Sequence, residues 1–191
     1  MSRFESYINK DDIIKELIDE CSEYLSMVKK GDGNFLYRGF KITPVLKKGI
    51  LKKVPRRDRV PRHINKELHK HLGEYSKKLF GWNTRSEGVF CTSRYGARGY
   101  GNPYAVVPIN GFKYIVGNNI DMYRIFVKSE KEMEIEGLKR ASEIILRKNY
   151  KDKGLEKYLK DMSSYWECIV KCNSYYIIDE WKVKEIKEEL L

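Results

Sequence analysis

The chain is poor in several things, and each shortage excludes a class of protein. Four of its 191 residues are cysteine (Cys21, Cys91, Cys168, Cys172), and no two form a CxxC pair. Neither a zinc ribbon nor a disulfide framework is favoured. Only five residues are proline, while 41% are hydrophobic and 13% aromatic, too apolar for a disordered basic tail. No run approaches the roughly 18 to 20 apolar residues that a membrane span needs. Met1-Ser2-Arg3-Phe4-Glu5 lacks the apolar core of a secretory signal. GxxxxGK[ST] and HExxH are both absent. The expectation is one soluble domain over 1–191, cytoplasmic, away from membranes and without a metal; a monomer is one reading, and the oligomeric state stays open.

Acidic charge is also scarce. Lys and Arg number 38 against 27 Asp and Glu, for a net charge of +11. The excess is local: residues 47–78 hold twelve basic residues and three acids. Such a stripe attracts phosphates, in nucleic acid or in a dinucleotide, or it is simply a solvated face.

Hydrophobic periodicity then sets out the elements. Ile13, Ile14, Leu17, Ile18, Cys21, Tyr24, Leu25 and Val28 predict one amphipathic helix over Asp11–Lys30. A strand is expected at Phe35–Phe40, then a loop over 41–62. A helix follows over His63–Phe80, with a strand at Val89–Thr92 and a glycine-rich loop over Ser93–Gly101. Tyr104–Ile109 and Phe112–Val116 flank Asn110-Gly111, a hairpin signal. A further strand is expected at Met122–Val127, and helix over Ser129–Lys160 with a break near Gly154. Trp166–Cys172 and Tyr175–Ile178 read as a second hairpin about Asn173-Ser174. Strands do not alternate regularly with helices, so the class is α+β with mainly antiparallel pairing.

Three strand features carry chemistry together. Tyr37-Arg38-Gly39 puts a single Arg in an apolar strand, where it needs a partner and offers a planar fork to phosphate. Phe90-Cys91-Thr92-Ser93 ends a strand in two hydroxyls, which either hold a ligand or cap a helix. Trp166-Glu167-Cys168 opens an apolar strand with a carboxylate. His69 and His71, two apart on a helix, do not share a face, and Cys168 and Cys172 read as buried thiols.

The order Leu36-Tyr37-Arg38-Gly39, Phe90-Cys91-Thr92-Ser93, Tyr165-Trp166-Glu167 resembles the Arg–Ser–Glu class of mono-ADP-ribosyltransferases, which includes bacterial toxins and small bacteriophage enzymes. The resemblance spans about residues 10 to 180. It implies a split β-sandwich with an N-terminal helix and flanking helices, clamping NAD as substrate in a central cleft. Arg38 would pair with the NAD phosphates. Thr92 and Ser93 would order the cleft, and Glu167 would stabilise the ribosyl cation as nicotinamide leaves. Tyr37, Gly39, Tyr95 and Tyr100 would line the NAD site, although a core role competes for each tyrosine. Tyr165 and Trp166 would contact the acceptor. Arg38, Ser93 and Glu167 would be the catalytic set.

The sequence also departs from that pattern. Tyr165 stands where many members carry Glu or Gln two positions before the catalytic Glu, so arginine is in doubt as the acceptor. Cys91 replaces the first Ser of a Ser-Thr-Ser run. Glu132-Met133-Glu134 and Glu134-Ile135-Glu136 have the two-apart carboxylate spacing, but they lead into a helical pattern, so Glu167 is preferred. The acceptor stays open between protein and nucleic acid, as does plain NAD hydrolysis. Two other readings stand beside this one: a basic nucleic-acid-binding protein without NAD chemistry, and an interaction protein on an inactivated version of the fold.

Overall fold

The computed structural model describes residues 10–46, 49–57, 65–117, 134–161 and 166–190. The Met122–Val127 strand, Tyr165 and Glu132 lie outside them. Within them the elements run α1 (Lys10–Glu20), α2 (Ser22–Lys30), β1 (Leu36–Phe40), β2 (Ile50–Lys53), α3 (Lys66–Phe80), α4 (Thr84–Glu87) and β3 (Val89–Thr92). Then come α5 (Arg94–Arg98), β4 (Asn102–Pro108), β5 (Lys113–Gly117), α6 (Ile135–Asn149), β6 (Tyr150–Lys151), α7 (Leu155–Lys160), β7 (Glu167–Lys171), β8 (Tyr175–Ile178) and α8 (Glu180–Leu190). The class is α+β, as expected.

The described strands form one antiparallel sheet in the order β2-β8-β4-β1-β3-β7-β5-β6. Its middle is narrow. β1 pairs with β4 over five residues, yet with β3 through a single pair, Tyr37 opposite Thr92. Four strands lie on each side of that join. Leu36, Val106 and Ile177 from one side share a core with Cys91, Cys168 and Val170 from the other. A second core lies under α3 and α6, where Leu68, Leu72, Leu138 and Leu146 meet Ile115, Ile169 and Trp82.

Both expected hairpins are corrected. β4 and β5 flank Asn110-Gly111 but do not pair with each other, and neither do β7 and β8 across Asn173-Ser174. β4 and β8 pair on one side of the join, and β5 and β7 on the other. Each turn therefore carries the chain from one half of the sheet to the other. The two links touch where Ile109 N–H donates to the Ser174 carbonyl at 3.2 Å.

Asn110 also explains why the predicted Asp11–Lys30 helix is two helices broken at Cys21. Cys21 makes no side-chain cap to α2. Asn110 supplies one from across the fold: its Oδ1 accepts from Glu23 N at 3.0 Å, the position an N-cap oxygen would fill. Its Nδ2 donates to the Asp19 carbonyl and to Ser22 Oγ, both at 3.1 Å. Gly111 N–H donates to Glu23 Oε2 at 2.9 Å. A turn that reads locally as a hairpin is used to fasten a helix break.

Three further elements depart from expectation. The 41–62 segment contains β2, an outer strand that, among the described residues, bonds only to β8. Its alternation is hidden by Lys52 and Lys53, and Lys52 reaches Glu20 on α1 at 2.6 Å. Lys52, with Tyr176 behind it, holds the Glu20 carboxyl below its ordinary range. The glycine-rich Ser93–Gly101 stretch opens with the helix α5. Among the described residues the 47–78 stripe is divided, because β2 ends the sheet on one side while α3 covers the other half.

Asn110→Ala removes the cap supplied to α2. It should destabilise the fold by about 1–2 kcal/mol in urea unfolding. Asn173→Ala in the neighbouring exposed turn should stay within about 0.5 kcal/mol. Equal effects would contradict the capping role.

Candidate functional site

One cross-strand row runs through all eight strands: Ile50, Ile178, Ala105, Tyr37, Thr92, Glu167, Gly117, Tyr150. Residues directly opposite in an antiparallel sheet share a face. The row is apolar on one side and turns polar at the join. Tyr37, Thr92 and Glu167 occupy consecutive strands there, so the backbones of Tyr37 and Glu167 are two strand spacings, about 10 Å, apart.

Glu167 is half-buried, and Tyr150 hydroxyl donates to its Oε1 at 2.8 Å. That bond depends on Gly117, the residue between them in the row. A Cβ on Gly117 would lie 2.7 Å from the Tyr150 ring, so only glycine lets the ring pass over the strand. Neither Tyr150 nor Gly117 was a sequence candidate. The one signal was a glycine closing the apolar run Tyr114-Ile115-Val116.

The hydroxyl pair after β3 is structural in its contacts. Thr92 Oγ1 donates to the Trp166 carbonyl at 2.5 Å, which ties the end of β3 to the start of β7 one residue before Glu167. Ser93 is 1% exposed, and its Oγ accepts from Gly96 N at 3.2 Å as the N-cap of α5. Trp166 is buried, and its Nε1 donates to the Asp161 carbonyl at 2.9 Å.

Arg38 follows Tyr37 on β1, so its side chain leaves the sheet on the opposite face. Its guanidinium lies over the Phe40 ring and donates a long bond, 3.4 Å, to the Phe90 carbonyl. Register alone would set Gly39 opposite Phe90, but the β1–β3 ladder has only the one pair. Arg38 fills the gap that the diverging strands leave. Among the described residues it has no carboxylate partner. Gly39 is required by close approach, since a Cβ there would fall 2.3 Å from the Ala97 carbonyl.

No protein-family model, curated protein or solved structure matches this chain. Its chemistry has to be argued from its own residues.

The cysteines offer little. Burial pushes the Cys21, Cys91 and Cys172 thiols up to about 12 and raises Cys168 well above its ordinary range. They are thiols at neutral pH, not thiolate nucleophiles. Among the described residues no group of three or more His, Cys, Asp or Glu is placed to hold a metal ion. No described helix is long and apolar enough to cross a membrane.

Tyr37 and Tyr95 have a further feature in common. With Arg94, Arg98, Lys184 and Lys187 they line a cleft of about 380 Å³ between α5 and α8. Burial raises the Tyr37 hydroxyl above its ordinary range, with Arg94 opposing. Tyr95 and Tyr100 are 60% and 57% exposed. The structure therefore brings Tyr37, Thr92 and Glu167 into one row, with Arg38 behind it and Tyr95 beside it.

Gly117→Ala should displace Tyr150 from Glu167 and cost about 1–3 kcal/mol through overpacking, read by urea unfolding. Wild-type stability would show that the ring does not need the gap.

Proposed function

We propose that this chain is an NAD-dependent mono-ADP-ribosyltransferase, on the split-sandwich fold that its three motifs imply. One observation carries the reading. Tyr37, Thr92 and Glu167, from three separate motifs, are neighbours in one row at the narrowest point of the sheet.

In this reading NAD lies across the join, with its nicotinamide ribose against Glu167. The nicotinamide–ribose bond breaks and its electron pair leaves with nicotinamide. Positive charge grows on the ribose carbon, facing the Glu167 carboxylate. An acceptor nucleophile then bonds to that carbon and loses its proton. The carboxylate acts on charge that exists only in the transition state, so its stabilisation lowers the barrier. Tyr150 holds that carboxylate in place, so little reorganisation is needed as charge develops. Thr92 and Ser93 serve as positioning residues: one locks the start of β7, the other starts α5. Arg38 spends one N–H on Phe90. A guanidinium has five, and the others meet the NAD phosphates only if NAD threads the gap at the join, because Arg38 and Glu167 leave the sheet on opposite faces.

The test is labelled NAD added to a cell lysate. Wild type should label a macromolecular fraction, which protease or nuclease then assigns to protein or nucleic acid. Glu167→Ala should lower the rate about 10²–10³-fold. Tyr150→Phe should lower kcat with little change in KM for NAD, as expected of a group that orients the carboxylate. Labelling that survives Glu167→Ala would overturn the site.

A further inference from the structure

The cleft between α5 and α8 shares Tyr37 with the row that holds Glu167, but its cations have no part in the chemistry proposed there. It holds four cations, Arg94, Arg98, Lys184 and Lys187, against one carboxylate, Glu180. Arg94 pairs with Glu180, and that pair leaves Arg98, Lys184 and Lys187 uncompensated within the cleft. Burial lowers the Lys187 ammonium from its ordinary range, so its charge is held in a partly dehydrated place. A cationic surface of this kind favours phosphate.

Beside these cations stands a flat ring, Tyr95, which lines the cleft and is 60% exposed. Cations that track a backbone, interleaved with exposed aromatics, are the means by which single-stranded nucleic acid is held without sequence preference. An acidic peptide would satisfy the cations but would not use the exposed face of Tyr95.

We infer that the α5–α8 cleft binds single-stranded nucleic acid, with phosphates on Arg98, Lys184 and Lys187 and a base on Tyr95. The site does not depend on the transferase reading. If both hold, the cleft places a nucleic acid beside the row that contains Glu167. It also moves the basic surface that matters away from the 47–78 stripe.

The test is fluorescence anisotropy of the full chain with a labelled single-stranded oligothymidylate across a salt series. Arg98 and Lys184 are both exposed, so Arg98→Ala with Lys184→Ala should leave the fold intact by circular dichroism. That double variant should weaken binding at least tenfold. It should also flatten the slope of log affinity against log salt by about 1.4, since each contact on a single strand contributes about 0.7. Tyr95→Leu should weaken binding about tenfold through lost stacking. Lys66→Ala with Lys70→Ala on α3 should bind like wild type. No oligonucleotide binding, or binding that the Arg98 and Lys184 changes leave unmoved, would overturn the proposal. Equal binding of an oligoglutamate would overturn it too, because that ligand carries the charge without bases. Nicotinamide release is measured separately, so either proposal fails alone.

Discussion

The fold turns on one strand pair, Tyr37 with Thr92. On either side of it the ladders are several residues long, and there the two halves meet through one residue each. Away from that pair β1 and β3 share no ladder, and the Arg38 guanidinium crosses to the Phe90 carbonyl there. Glu167 lies one strand beyond Thr92, on the face opposite Arg38. Other contacts fasten the two halves. Asn110-Gly111 and Asn173-Ser174 tie the halves together at one place, and Thr92 ties β3 to β7.

The sequence conveyed the pieces of this better than their assembly. Strands β1, β3, β4, β5, β7 and β8 all lie where apolar alternation put them. Their partners do not, because Asn-Gly and Asn-Ser signal a reversal of the chain and nothing about what the next strand will bond to. A link between two halves needs the same turn chemistry as a hairpin. β2 escaped notice because an outer strand is half solvated and tolerates lysines. α8 escaped because Lys182, 1% exposed and paired with Glu185 at 2.5 Å, occupies an inward position that the pattern reads as polar.

The candidate site was legible in the same partial way. Tyr37, Thr92 and Glu167 are residues whose type is unusual for their strand, and that much shows in the sequence. Ser93 was equally visible, but its contact is the helix cap that hydroxyls after a strand most often make. Tyr150 and Gly117 act on Glu167 only because β6, β5 and β7 lie side by side, and pairing of that kind leaves no local trace. The cations gathered in one cleft come from α5 and α8, while among the described residues those of the 47–78 stripe fall on β2 and α3, on different halves of the sheet.

The account stands or falls on the carboxylate at the join. The most direct measurement is nicotinamide release from NAD by the purified chain, wild type beside Glu167→Gln. That change keeps the shape of the side chain and removes its charge. The account predicts release by wild type and its near-complete loss in a variant of wild-type stability. Release that continues at the wild-type rate without that charge would contradict it.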